Sequence, residues 1–156
     1  MKNSYSQQTN YYVVFGTEKL NDIKYYLKGC NIPGVTLEPV EIGNKVHAFN
    51  IGGDKIEFNP LVLDILIDED FDTYLEMIDE IFSLKNPNTG EINRTQFNLN
   101  LFITSNKGNP ILNITYQDCF ITSIGDIEMN DGDADVNTLH YNVTIKYSNV
   151  VYKKLK

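Results

Sequence analysis

The strictest constraint on the fold lies in the last third of the chain, where side chains alternate with a period of two. In "FNLNLFI", Phe97, Leu99, Leu101 and Ile103 fall on one side, and Asn98, Asn100 and Phe102 on the other. In "LHYNVTIKY", Leu139, Tyr141, Val143, Ile145 and Tyr147 oppose His140, Asn142, Thr144 and Lys146. Such a period fits an extended strand, and one apolar face per strand fits an antiparallel sheet covered on one side. The intervening "ILNITYQDCFITSIGDIEM" is too long for one undisturbed strand. Its apolar parity shifts between Tyr116 and Cys119, which predicts a bulge or bend near Gln117-Asp118.

Upstream, "LVLDILID" sets Leu61, Leu63, Ile65 and Ile67 against Val62, Asp64, Leu66 and Asp68, a strand buried on one face and partly on the other. The period then changes. Phe71, Tyr74, Leu75, Ile78 and Phe82 recur at helical spacing behind Asp68, Glu69, Asp70 and Asp72, where carboxylates cap free amides and complement the helix dipole. "NPNTG" ends that helix. Near the start, "YYVVFG" (Tyr11 to Gly16) and "IKYYLKGC" (Ile23 to Cys30) read as two strands of a first hairpin across the turn Glu18 to Asp22. Between that hairpin and Leu61 runs a long arm. It places Val35, Leu37 and Pro39 on one face and Thr36, Glu38 and Val40 on the other, reverses at Gly43-Asn44 and ends at Gly52-Gly53. The fold class expected is mainly β: an antiparallel β-sandwich or partly closed β-barrel with one flanking α-helix and a long extended hairpin arm. One domain over 1–156 is expected, with 1–10 as a flexible N-terminal arm.

The chain has 156 residues, 42% of them hydrophobic, enough to bury about two thirds of its unfolded surface without disulfides or metals. No apolar run reaches the roughly 18 residues of a membrane span, and "MKNSYSQQTN" lacks the apolar stretch of a signal peptide. A soluble protein without a membrane partner is the expectation. Cys30 and Cys119 fit no metal or redox spacing and read as reduced thiols; the sequons at Asn93, Asn113 and Asn142 read as chance in an Asn-rich chain. A net charge of −8 repels phosphate backbones, which disfavours sequence-specific or tight nucleic-acid binding but does not exclude a conduit past which nucleic acid slides.

Catalytic signatures are missing from the sequence: there is no Gly-rich phosphate loop, no GxSxG and no HExxH. His47 and His140 sit far apart on strand-like segments and read as surface residues, and zinc held by them with Cys30 and Cys119 lacks any short ligand spacing. The carboxylates at Asp68 to Asp72 belong to a helix start. "NDGDAD" places Asp131, Asp133 and Asp135 like a calcium loop, but Val136 stands where glycine is needed and Asn142 where a bidentate glutamate is needed. The expectation is a non-enzyme with no catalytic residues, no cofactor and no metal.

Taken in order, "CNIPGV", the long arm ending in "IGGDKIEF", the junction "LVLDILIDEDF" into the helix, and the closing "DCFITSIGDIEM" with "TLHYNVTIKYSNVVY" resemble the tail tube protein family of contractile-tailed bacteriophages. That resemblance covers about Tyr11 to Tyr152. It implies a β-barrel-like subunit assembled into hexameric rings, stacked as a tube through which DNA passes without specific binding. Tail sheath and baseplate proteins are its implied partners, and the virion tail, assembled in the host bacterial cytoplasm, its implied location. Siphophage tubes and the type VI secretion tube share the fold. The short Lys85 to Gln96 segment departs from the family pattern.

On this reading the arm is the assembly device, with subunit contacts at Val35, Leu37, Val40, Ile42, Gly43, Asn44, Val46, Phe49, Gly52 and Gly53. Alternatives are an ordinary hairpin packed on its own sheet, a tube-end ring such as a baseplate-proximal initiator or tail-completion protein, and a small β-sandwich module binding carbohydrate or peptide through exposed tyrosines.

Overall fold

The computed structural model describes residues 6–132 and 137–155. Its elements are β1 (Tyr11–Phe15), a 3-10 helix (Glu18–Tyr25), β2 (Leu27–Cys30), β3 (Val35–Gly43), β4 (Ala48–Phe58), β5 (Leu61–Leu66), α1 (Asp72–Leu84), β6 (Phe97–Thr104), β7 (Pro110–Ile124), β8 (His140–Lys146) and β9 (Asn149–Lys154). Every pairing is antiparallel. The main sheet runs β1-β6-β7-β8-β5-β2 with β9 added on β7, while β3 and β4 form a separate two-stranded sheet. Strands β1 and β2 end the sheet without pairing to each other, so it stays open and does not close into a barrel.

The long β7 joins the two halves. Its first part pairs with β6 and β9, and Phe120 to Ile124 pair with β8. Between them Phe97 faces Cys119 and Leu99 faces Tyr116, leaving Asn98 opposite both Gln117 and Asp118. This is the predicted bulge. Asp118 adopts a left-handed φ of 56°, and its N–H donates to Asn98 Oδ1 at 3.3 Å. The extra residue bends the strand, so one strand serves both halves of a folded-over sheet.

The alternating residues meet inside the fold. Leu61, Leu63 and Ile65, Leu99 and Leu101, and Tyr141, Val143 and Ile145 are buried, joined by Val13 and Phe15 of β1. Their burial carries most of the stability, at about 25 cal/mol per Å² of apolar surface removed from water.

Two expectations change. The first hairpin does not form: β1 pairs with β6, β2 pairs with β5, and Glu18 to Tyr25 is helical. Buried Leu20 and Ile23, followed by half-buried Tyr26, recur every three residues, which suits a 3-10 helix against the core and not a strand. The face of α1 is also rotated from the predicted one. Thr73, Met77 and Glu80 are buried with Tyr74 and Ile81 packed beside them, whereas Leu75 and Phe82 point outward. Phe71 precedes the helix as its N-cap in a left-handed conformation, φ 60°.

The cap itself is supplied by Asp68. Its Oδ1 accepts from the Thr73 hydroxyl at 2.6 Å and the Thr73 N–H at 3.3 Å, and its Oδ2 accepts from the Asp72 N–H at 3.1 Å. The Thr73 hydroxyl, with these amides, holds the Asp68 carboxyl below its ordinary pKa. A lowered folded pKa contributes stability above the unfolded value, and that contribution is lost as pH falls through the folded value. Asp68→Ala is therefore expected to cost about 1 kcal/mol at neutral pH. Urea unfolding of both chains checks this, with the gap between them closing in strong acid.

Candidate assembly surface

The arm stands off the body. Among the described residues, strands β3 and β4 pair only with each other, and every residue of β3 is exposed. Cross-strand partners are Val35 with Phe58, Leu37 with Ile56, Pro39 with Gly52, Val40 with Ile51, and Ile42 with Phe49. The register shifts between Leu37 and Pro39, so Glu38 faces the stretch Gly53 to Lys55. The arm is longer than predicted, running on to Phe58 instead of stopping at Gly52-Gly53.

The apolar residues divide between two faces. Alternation along β3 puts Leu37 and Val40 on opposite sides, and directly paired residues share a side. Val35, Leu37, Ile56 and Phe58 therefore form a patch on one face near the root. Val40, Ile42, Phe49 and Ile51 form a patch on the other face near the tip. The two glycines agree: a Cβ at Gly52 would touch Leu37 Cδ2 at 3.7 Å, and one at Gly53 would touch Val40 Cγ2 at 3.5 Å. At Gly53 that Cβ would also strike the Glu38 carbonyl oxygen, so only glycine fits the shift.

Both ends of the arm are fixed locally. At the root, Phe58 packs against Tyr147 with ring centroids 5.6 Å apart, the Tyr147 hydroxyl donates to Asn59 O at 2.8 Å, and the Asn59 N–H donates to Gly34 O at 3.1 Å. Asn31 Oδ1 accepts the Val62 N–H at 2.7 Å. At the tip, the Asn44 N–H donates to His47 O at 2.9 Å, and Asn44 Oδ1 accepts the N–H groups of Val46 and His47. Between these ends the large side chains lie open, and Val46 is 76% exposed. All ten residues expected at subunit contacts lie on this one hairpin. Ile51 belongs to the tip patch as well, and Ile56 and Phe58 to the root patch, beyond Gly52-Gly53-Asp54, which interrupts the alternation that those two continue.

Elsewhere the groups of chemical interest are dispersed. His140 Nδ1 lies 2.9 Å from Asp64 Oδ1 on the outer face of the sheet, and His47 sits at the arm tip. Cys30 and Cys119 are free thiols whose pKa values burial pushes up to about 11 and about 12, which makes them poor nucleophiles at neutral pH. Among the described residues no group of three or more His, Cys, Asp or Glu is placed to hold a metal ion. Asp131 is exposed, and Asp133, Asp135 and Val136 lie outside the described residues. A cleft of about 950 Å³ opens between β1 and β2, which do not pair with each other, lined by Tyr11, Leu27, Cys30, Leu101 and Leu112 among others. Among the described residues no helix is long and apolar enough to cross a membrane.

By sequence the chain matches no protein-family model and no curated protein. By structure it is similar to a chain from the tube terminating cap of the anti-feeding prophage, with a TM-score of 0.74, 11% identity, and 99% of this chain and 94% of that one covered. It is likewise similar to a chain from the PVC sheath/tube terminator of an extracellular contractile injection system, with a TM-score of 0.72, 12% identity, and 98% and 99% covered. An Hcp protein superposes at a TM-score of 0.55, with 12% identity and 93% and 90% covered. The chain thus has the tail tube fold that the sequence resemblance implied.

Because the arm's apolar groups have little cover from their own body, charging them is expected to leave the fold intact. Leu37→Asp combined with Ile42→Asp places one carboxylate on each face. The double variant is expected to keep its stability to within about 1 kcal/mol, against several for charge forced into a core. Thermal melts at low protein concentration check this.

Proposed function

We propose that this chain is a structural subunit of the tube of a contractile tail-like machine, working as a hexameric ring and not as an enzyme. The observation that carries the proposal is the near end-to-end match to tube-terminator and tube-cap chains, taken with an arm whose two apolar faces are exposed among the described residues. One domain over 1–156 suffices for that role.

The sequence reading placed the chain in the body of a phage tail tube. The descriptions of the matched structures, a sheath/tube terminator and a tube terminating cap, favour a ring at the end of the tube. The physical task is the same in both places: a rigid sheet supplies a wall and the arm ties one subunit to another. Neighbours in the assembled machine would be further copies of the chain, the sheath and the baseplate. An acidic chain would let DNA or another polyanion pass without being held, since no excess of cations is present to release its counterions.

Concentrated protein is expected to form six-membered rings in negative-stain images, stacking into tubes under some salt conditions. Fluorescence anisotropy is expected to show no DNA affinity in the micromolar range at physiological salt. A particle that stays monomeric by light scattering at every concentration and salt, or salt-dependent micromolar DNA binding, contradicts the proposal. In intact particles, a copy number of one ring places the chain at the tube end; many rings place it in the tube body.

A further inference from the structure

Helix α1 carries a second apolar surface that its own chain leaves open. Leu75 and Phe82 are two turns apart on one side of the helix and are 53% and 50% exposed, while Thr73, Met77 and Glu80 turn inward. Charge on the helix and the residues leading into it is of one sign, with Lys85 following as the C-cap. Seven of the 21 acidic residues and none of the 13 basic ones lie between Asp68 and Leu84, and the other 14 acidic residues nearly cancel the 13 basic ones. Almost all of the net charge of −8 therefore sits on this segment.

The crowding is felt within the helix. Desolvation, followed by the negative charges of Asp22, Asp72 and Asp68, raises the Glu76 carboxyl above its ordinary pKa. Asp79 and Glu80 add charge toward the C-terminal half, the end at which the helix dipole disfavours carboxylates, and the last turn holds no basic residue. A partner that brings apolar side chains together with a cation relieves both the exposed stripe and the repulsion.

The arm tip has that composition. Its face of Val40, Ile42, Phe49 and Ile51 carries a carboxylate only toward the root, at Glu38, since alternation puts Glu41 on the other side, and the turn adds Lys45, Val46 and His47. We propose that the arm tip of one copy docks on the outward face of α1 of a neighbouring copy. Val46 and Phe49 lie against Leu75 and Phe82, with Lys45 placed among Glu76 and Asp79. Two different patches of one chain meet in this contact, so it runs head to tail and repeats through an assembly instead of ending at a dimer. The inference rests on the assembly role proposed above and names the receiving surface.

Charge exchange tests it on the full chain. Lys45→Glu alone, and Glu76→Lys with Asp79→Lys, are each expected to raise the concentration needed for assembly by roughly tenfold or more, by light scattering, because like charges then meet across the contact. All three positions are exposed, so thermal midpoints are expected to stay close to wild type. Combining the three substitutions in one chain is expected to restore assembly. As a second readout, Val46→Cys with Leu75→Cys is expected to give a ladder of disulfide-linked multimers on mild oxidation of the assembled protein. If wild type assembles and the reversed chains assemble equally well, or the combination does no better than either alone, the docking is wrong while the ring role stands. A wild-type chain that never assembles overturns both.

Discussion

An antiparallel pair of strands with water on both faces is at best marginally stable, because its backbone hydrogen bonds replace bonds to water and little apolar surface is removed to offset the lost chain entropy. Strands β3 and β4 are such a pair, with eight large apolar side chains divided between two faces and only Phe58 resting on the body. The division has a cause in the chain: Leu37 and Val40 differ in parity, as do Ile51 and Ile56, and the shift at Glu38, permitted by Gly53, brings the matching residues of the two strands opposite each other. A single flat surface covers only one of the two patches. The arm therefore needs two covers, and its own domain reaches only the root.

The rest of the structure can be understood as support for that projection. The bend at Asp118 lets β7 serve both halves of the main sheet, so the body closes its core within one folded-over layer. That rigid body holds both limbs of the arm at their roots, through the Phe58 and Tyr147 rings and the hydrogen bonds of Asn31 and Asn59. Helix α1 covers part of the core with Met77 while turning Leu75 and Phe82 outward. One chain thus presents two separate apolar surfaces at different places, the condition for contacts that propagate instead of pairing off.

Much of this was legible in the residues because burial on one face leaves a period of two. The strands at Leu61 to Leu66 and His140 to Lys146 could be read directly, and the break in parity between Tyr116 and Cys119 located the bulge. Pairing partners were harder, since β1 meets β6 across more than 80 residues and nothing local marks such a contact. The spacing of Leu20, Ile23 and Tyr26 was split between a turn read at Glu18 to Asp22 and a strand read from Ile23, so its period of three was not seen. Helix α1 has apolar residues on several sides, so its sequence did not say which would face the core. The arm residues were singled out because they were apolar and unaccounted for, and alternation already set Val35 and Leu37 against Val40; which β4 residues join each face depends on a register that only the paired strands reveal.

The central claim is that the arm is ordered by other copies of the chain. Amide hydrogen exchange, measured on the dilute subunit and on assembled protein, tests it most directly. Fast exchange across Val35 to Phe58 in the free subunit that becomes slow on assembly, with Leu99, Leu101, Val143 and Ile145 protected in both, is the expected result. Strong protection of the arm in the free subunit, or an arm still exchanging fast within an assembled ring, would contradict it.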